Sequence, residues 1–167
     1  MKRDFLFIIY MSAFLGACTY TGEFEVAETD GLYSISFPDY MNPSKQVLHE
    51  NAILEYNNRY RNIYAVVVRD EKELDFIEYQ QIHINDLKNY ELLLNPLVTD
   101  SIFTENSPSI LLELYGIMDE ENIYYWHKTV ESPKYFYQII VWTRSMDRKQ
   151  RYGDDINKIL DSFKAFK

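Results

Sequence analysis

The chain has 167 residues, and its 26 acidic against 17 basic side chains give a formal charge of −9. Such a field repels phosphate backbones and excludes nucleic acid as a natural partner, while the length suits one domain with one core. The aromatic load is heavy, 15 Tyr, 10 Phe and 2 Trp, and aromatic rings suit strands and cores before they suit ligands.

In chain order, residues 1–17 read as an export signal. Lys2 and Arg3 form a short basic start, and the apolar run from Phe5 to Phe14 is too short to span a bilayer. Leu15-Gly16-Ala17-Cys18 then fits a lipobox, in which small side chains enter a peptidase cleft and the thiol of Cys18 accepts a diacylglyceryl group. Cys18 is the single cysteine, so no partner exists for an internal disulfide. The competing readings are an ordinary secretory signal and a buried helix that contains a cysteine; Asp4 is slightly atypical of a signal's basic start. On the lipoprotein reading the mature chain begins at Cys18 with a charge of −10, and more than one acyl chain makes the anchoring stable. The expected location is the bacterial cell envelope, at the outer membrane or the periplasmic face where the host has two membranes.

Residues 18–31, with Glu23, Glu25, Glu28 and Asp30 between Gly22 and Gly31, read as a lipidated acidic tether, and residues 32–167 as a single domain. Tyr33, Ile35 and Phe37 alternate with Ser34 and Ser36 up to Pro38, a half-buried strand. Ile53 to Tyr56 and Ile63 to Val68 are strand candidates joined through Asn57-Asn58-Arg59 as a hairpin. Leu74, Ile77, Ile84, Leu87 and Leu94 predict a helix over residues 71–94, with Asp70 as N-cap and Asn95-Pro96 as stop. Ile110 to Met118, Asn122 to Val130 and Tyr135 to Thr143 predict an antiparallel meander. Ser145 can cap a closing helix carrying Ile156, Ile159, Leu160 and Phe163, which Gly153 bends or divides. Grouped strands favour an α+β fold, one antiparallel sheet with helices packed on it.

Tyr33-Ser34-Ile35-Ser36-Phe37-Pro38 near the start, and Ile159-Leu160-Asp161-Ser162-Phe163-Lys164 near the end, resemble the opening strand and closing helix of the PsbP-like superfamily. The resemblance covers approximately residues 31 to 166. It implies an α-β-α sandwich with a central antiparallel sheet flanked by helices. The superfamily includes photosystem accessory subunits, a nuclear import factor and many bacterial lipoproteins, so the resemblance implies an accessory or binding module without fixing a function.

Residues with chemical potential are few. His49, His83 and His127 lack the spacing of a local metal motif, so no metal is expected. Asp119-Glu120-Glu121 lacks the ladder of a calcium loop and reads as a solvated hairpin turn; Asp154-Asp155 reads as dipole-complementing acids. Nucleophile elbows, phosphate loops and dinucleotide fingerprints do not occur, which weakens an enzymatic reading and predicts no cofactor. Two hypotheses remain open. The first is a non-catalytic envelope lipoprotein that binds a protein partner or polymer, using strand aromatics such as Tyr124, Trp126, Tyr137 and Trp142. The second is a small-ligand carrier or enzyme with a pocket near Tyr125 and His127, which share a strand face with Thr129. Arg144, Arg148, Lys149 and Arg151 form a local basic cluster. It reads as a solvated helix face paired with Asp147, Asp154 and Asp155, as a partner-docking edge, or as a contact for lipid headgroups. The candidate binding surface is therefore Tyr124, Tyr125, Trp126 and His127 together with the four basic residues.

Overall fold

The computed structural model describes residues 23–28, 31–89, 97–102, 108–118 and 120–166. The export signal, Cys18, residues 19–22, Leu94, Asn95-Pro96 and Asp119 lie outside the described residues. In chain order the elements are β1 (Phe24–Glu28), β2 (Tyr33–Pro38), β3 (Asn42–Pro43), β4 (Ala52–Asn58), β5 (Ile63–Glu71) and α1 (Phe76–Asn89). They continue as β6 (Leu97–Ile102), β7 (Ser109–Met118), β8 (Glu121–Glu131), β9 (Tyr135–Arg144), α2 (Met146–Ser162) and β10 (Lys164–Ala165).

Two antiparallel sheets result where one was expected: a small one ordered β1-β2-β10 and a large one ordered β3-β4-β5-β9-β8-β7-β6. The predicted hairpin is β4–β5 and the predicted meander is β7–β8–β9. Residues 24–28, expected within the tether, instead pair with β2 from Phe24↔Pro38 onward. Register fixes the ends of the large sheet. At one end lie the β4–β5 turn, the end of β9 and the β7–β8 hairpin, through the pairs Ile63↔Thr143, Ile123↔Arg144 and Met118↔Glu121. At the other end Glu71 pairs with Tyr135 and Glu131 with Phe136.

The central strands β5 and β9 are apolar on both faces, with Val66, Val67 and Val68 and Ile139, Ile140 and Val141 all buried. They read as continuous runs because both sheet faces are covered. On one face Ala65, Val67, Trp126, Tyr137, Ile139 and Val141 form a single core with Tyr33, Ile35 and Phe37 of β2 and with α2. The α2 contribution is Tyr152, Ile156, Ile159 and Leu160, the i, i+4, i+7, i+8 stripe of an amphipathic helix. Each fully buried isoleucine in that stripe contributes roughly 1.5–3 kcal/mol.

On the opposite face α1 packs through Phe76 and Tyr79 onto Phe136, with the Tyr79 and Phe136 rings stacked 4.2 Å apart. Helices on both faces complete the predicted sandwich. Three local expectations are corrected. Asp70 belongs to β5, and Asp75 caps α1, its Oδ1 accepting from the backbone of Ile77 at 2.9 Å and Glu78 at 3.0 Å. Ser145 occupies the α2 N-cap at φ 70° but its hydroxyl makes no capping hydrogen bond. Gly153 leaves α2 unbroken, since the stripe at Tyr152 and Ile156 holds the helix against the sheet on either side of it.

Candidate functional site

Alternation along β8 splits the predicted aromatic surface. Tyr124 and Trp126 turn into the α2 core at 5% and 4% exposure. Tyr137 is buried with them, so these three rings offer no surface patch. Tyr125 stacks on Trp142, which stacks on Tyr64, at 5.7 and 5.3 Å, a half-buried row across β8, β9 and β5 on the α1 side of the sheet. Burial pushes the Tyr125 phenol up to about 12. His127 and Thr129 share that face, as their spacing predicts, but His127 is only 1% exposed.

What His127 joins is a polar cluster between α1 and the sheet. Gln138 of β9 lies opposite Thr129 and carries the connections. Its amide nitrogen donates to Tyr79 Oη at 2.8 Å and to Asp70 Oδ2 at 3.0 Å, and stands 3.3 Å from His83 Nε2. Tyr79 also donates to Asp70. The Gln138 Oε1 atom is 3.0 Å from His127 Nε2. Because that oxygen only accepts, the proton of His127 sits on Nε2, leaving Nδ1 as a bare acceptor. His83 and His127 face each other with ring centroids 6.4 Å apart.

Among the described residues, four buried atoms of this region have no hydrogen-bond partner: His127 Nδ1, Thr129 Oγ1 and both amide atoms of Gln80. The electrostatics favour neutral groups. Desolvation, aided by His83, lowers His127 to about 4 against the Gln138 hydrogen bond that opposes it. Desolvation likewise lowers His83, against the pull of Asp70 and Asp86. Burial, then the bond to Asp70, raises the Tyr79 phenol. The cluster clamps a helix to a sheet, with His127 and Gln138 buried and His83 and Asp70 half-buried at its margin. Among the described residues no group of three metal-ligating side chains converges.

Asp70, Tyr79, Gln80, His83 and Gln138 were missed as a site. The available signal was Phe76, Tyr79, Gln80 and His83 at i, i+3, i+4, i+7, a helical face richer in polar than apolar groups.

The basic cluster is dispersed over the start of α2, and its ion pairs run to strands instead of along the helix. Arg144 meets Glu121 at 3.4 Å and Lys149 meets Glu113 at 3.2 Å. Lys149 also lies over the Tyr124 and Trp126 rings at 5.1 and 5.7 Å, and Arg148 reaches Tyr152 Oη at 3.5 Å. Beside it, Tyr40 donates to the buried Asp155 at 2.7 Å while Arg61 stacks 4.0 Å over the Tyr40 ring. That contact fastens the β2–β3 loop to α2.

The architecture is shared with solved structures of low sequence identity. Cyanobacterial PsbP from Synechocystis superposes with a TM-score of 0.64 at 12% identity, covering 91% of this chain and 99% of that one. The Ran-binding protein Mog1p of Saccharomyces cerevisiae gives 0.60 at 10% identity over 87% and 96% of the two chains. LpqN of Mycobacterium tuberculosis, involved in cell envelope biogenesis, gives 0.53 at 14% identity over 87% and 91%. No protein-family model matches the sequence, and no curated protein matches it. The fold is therefore PsbP-like α+β, as the opening strand and closing helix implied.

Proposed function

We propose that this chain is a membrane-anchored lipoprotein of the bacterial cell envelope whose PsbP-like domain serves as a non-catalytic binding or assembly module, possessing no active site of its own. The observation that carries the non-catalytic part is the burial of His127, with its Nε2 engaged by Gln138. The same burial counts against a ligand pocket beside Tyr125. The anchor is supported by the lipobox ending at Cys18 and by the acidic domain behind it, which has no charge-based reason to seek a membrane. No helix among the described residues is long and apolar enough to cross a membrane. Structural likeness to a Ran-binding protein and to a protein of envelope biogenesis supports the binding role by analogy of fold alone.

Fractionation tests the anchor. The wild-type protein is expected to carry an acyl label and partition into detergent, whereas Cys18→Ala loses both and keeps a folded domain. Equal labelling of the two would overturn the anchor. After mild solubilisation the anchored protein is expected to migrate with a larger envelope assembly; migration at the size of the free chain would remove the assembly role.

A further inference from the structure

Gln138 touches both histidines at the interface of α1 with the sheet, and its amide is oriented by groups outside that pair. Asp70 Oδ2, which accepts from Tyr79, lies 3.0 Å from the amide nitrogen, and Tyr79 Oη accepts from the same nitrogen at 2.8 Å. With the nitrogen on that side, His83 Nε2 at 3.3 Å meets a donor and must be bare, while His127 Nε2, 3.0 Å from Gln138 Oε1, must carry its proton. A bare Nε2 requires a neutral His83.

A proton on His83 turns its contact with Gln138 into two donors facing each other. Turning the amide over gives His83 an acceptor, but it sets Oε1 against the Asp70 carboxylate and forfeits the bonds to Asp70 and Tyr79. The second ring offers no relief. His127 is 1% exposed, its Nδ1 has no hydrogen-bond partner among the described residues, and the ring centroids are 6.4 Å apart, so charging both rings adds repulsion.

The ionisable groups around the two rings are Tyr79 and Asp86 on α1, Asp70 on β5, and Tyr125 and Glu131 on β8, the last paired with Lys72. β7 and β9 present Leu112, Gln138 and Ile140 there, none of them charged. Asp70 and Asp86 attract a proton to His83, but desolvation outweighs them and keeps its pKa below the ordinary value. A helix that lifts returns the ring to water, so protonation favours the lifted state.

Little apolar packing opposes this. Phe76 and Tyr79, which pack on Phe136, belong to the first turn of α1, and the next inward residues are the polar Gln80 and His83. Beneath His83 a buried row crosses four strands, Val66, Ile140, His127 and Leu112. We propose that His83 and Gln138 form a proton-operated latch: in weak acid His83 takes up a proton and the part of α1 beyond Tyr79 lifts, loosening the cover over Val66, Ile140 and Leu112. The latch works whether or not Cys18 is acylated.

The test follows backbone hydrogen exchange of the full-length protein in detergent micelles between about pH 7 and pH 5, corrected for the intrinsic pH dependence of exchange. Residues 81–89 are expected to lose protection by about tenfold per pH unit below the ordinary imidazole pKa of about 6.5, and α2 to lose less. His83→Gln, whose side-chain oxygen can still accept from Gln138 and takes no proton, should hold α1 protection steady relative to α2. In the wild-type protein, the His83 ring followed by proton NMR should titrate with the same midpoint as the loss in α1. Parallel losses in both helices would reduce the effect to general acid destabilisation and overturn the latch. So would an undiminished α1 response in His83→Gln. A His83 ring that titrates while residues 81–89 stay protected overturns it too, and this wild-type readout decides the matter if the variant does not fold.

Discussion

Gln80 is 3% exposed on the inward face of α1, and neither its amide nitrogen nor its amide oxygen has a partner among the described residues. An unpaired buried amide costs about 1–3 kcal/mol, and a leucine of similar size removes that cost while keeping the packing. Gln80→Leu is therefore expected to raise stability by about 1–2 kcal/mol, read as a higher urea midpoint at unchanged slope. A lower midpoint would contradict the assignment of an unpaired amide. His127 gives a pH signature. Its folded pKa is lowered to about 4 from an ordinary 6.5, so between those values the unfolded chain takes up a proton that the fold refuses. Stability is thus fully present above 6.5 and falls as pH drops toward 4, by about 3 kcal/mol in the limit. His83, also lowered, acts in the same direction. His127→Gln, which can still donate to Gln138, should flatten the unfolding midpoint between pH 6.5 and 4.5; an unchanged slope there would contradict the assignment.

At the scale of elements, legibility followed the periodicity of each segment. β2 was readable because Tyr33, Ile35 and Phe37 alternate with serines, and the meander because Ser132-Pro133-Lys134 and the acidic 119–121 turn separate long β-rich runs. β1 was hidden by its acids and by a break in register between Val26 and Glu28, with Val26 facing solvent. β3 and β10 have two residues each, too few to carry a period. β6 follows the Asn95-Pro96 stop and mixes Thr99, Asp100 and Ser101 into its run. The first helix was anticipated with the wrong face, because Ile77 was counted as inward and is 59% exposed, while the polar Tyr79 and Gln80 point in. Its start moved for a chemical reason: Asp75, not Asp70, satisfies the orphan N–H groups of the first turn. Asp75→Ala should therefore cost about 0.5–2 kcal/mol. Because α1 is held chiefly through Phe76, Tyr79, His83 and Gln138, hydrogen exchange in α1 should rise before exchange in α2, where a continuous apolar stripe is buried. Equal protection of the two helices would count against this ordering.

For the whole molecule, composition and element order were enough for the α+β sandwich, and the resemblance for its kind; comparison with solved structures bears out both. The candidate site was less legible. Strand alternation says that Tyr124 and Trp126 oppose Tyr125 and His127, but which pair faces the larger core depends on α2 returning from the far end of the chain. The Gln138 connection joins β5, α1, β8 and β9, residues 68 positions apart in the case of Asp70, and no local pattern reports such a meeting. Register, not sequence proximity, sets the basic cluster beside the β4–β5 turn. Attachment through Cys18 underlies the proposed role, so the most direct measurement is the mass of the N-terminal peptide of the mature protein extracted from membranes. The account predicts a peptide that begins at Cys18 and carries a diacylglyceryl thioether. A mature peptide retaining residues of 1–17, or a Cys18 with a free thiol, would contradict it.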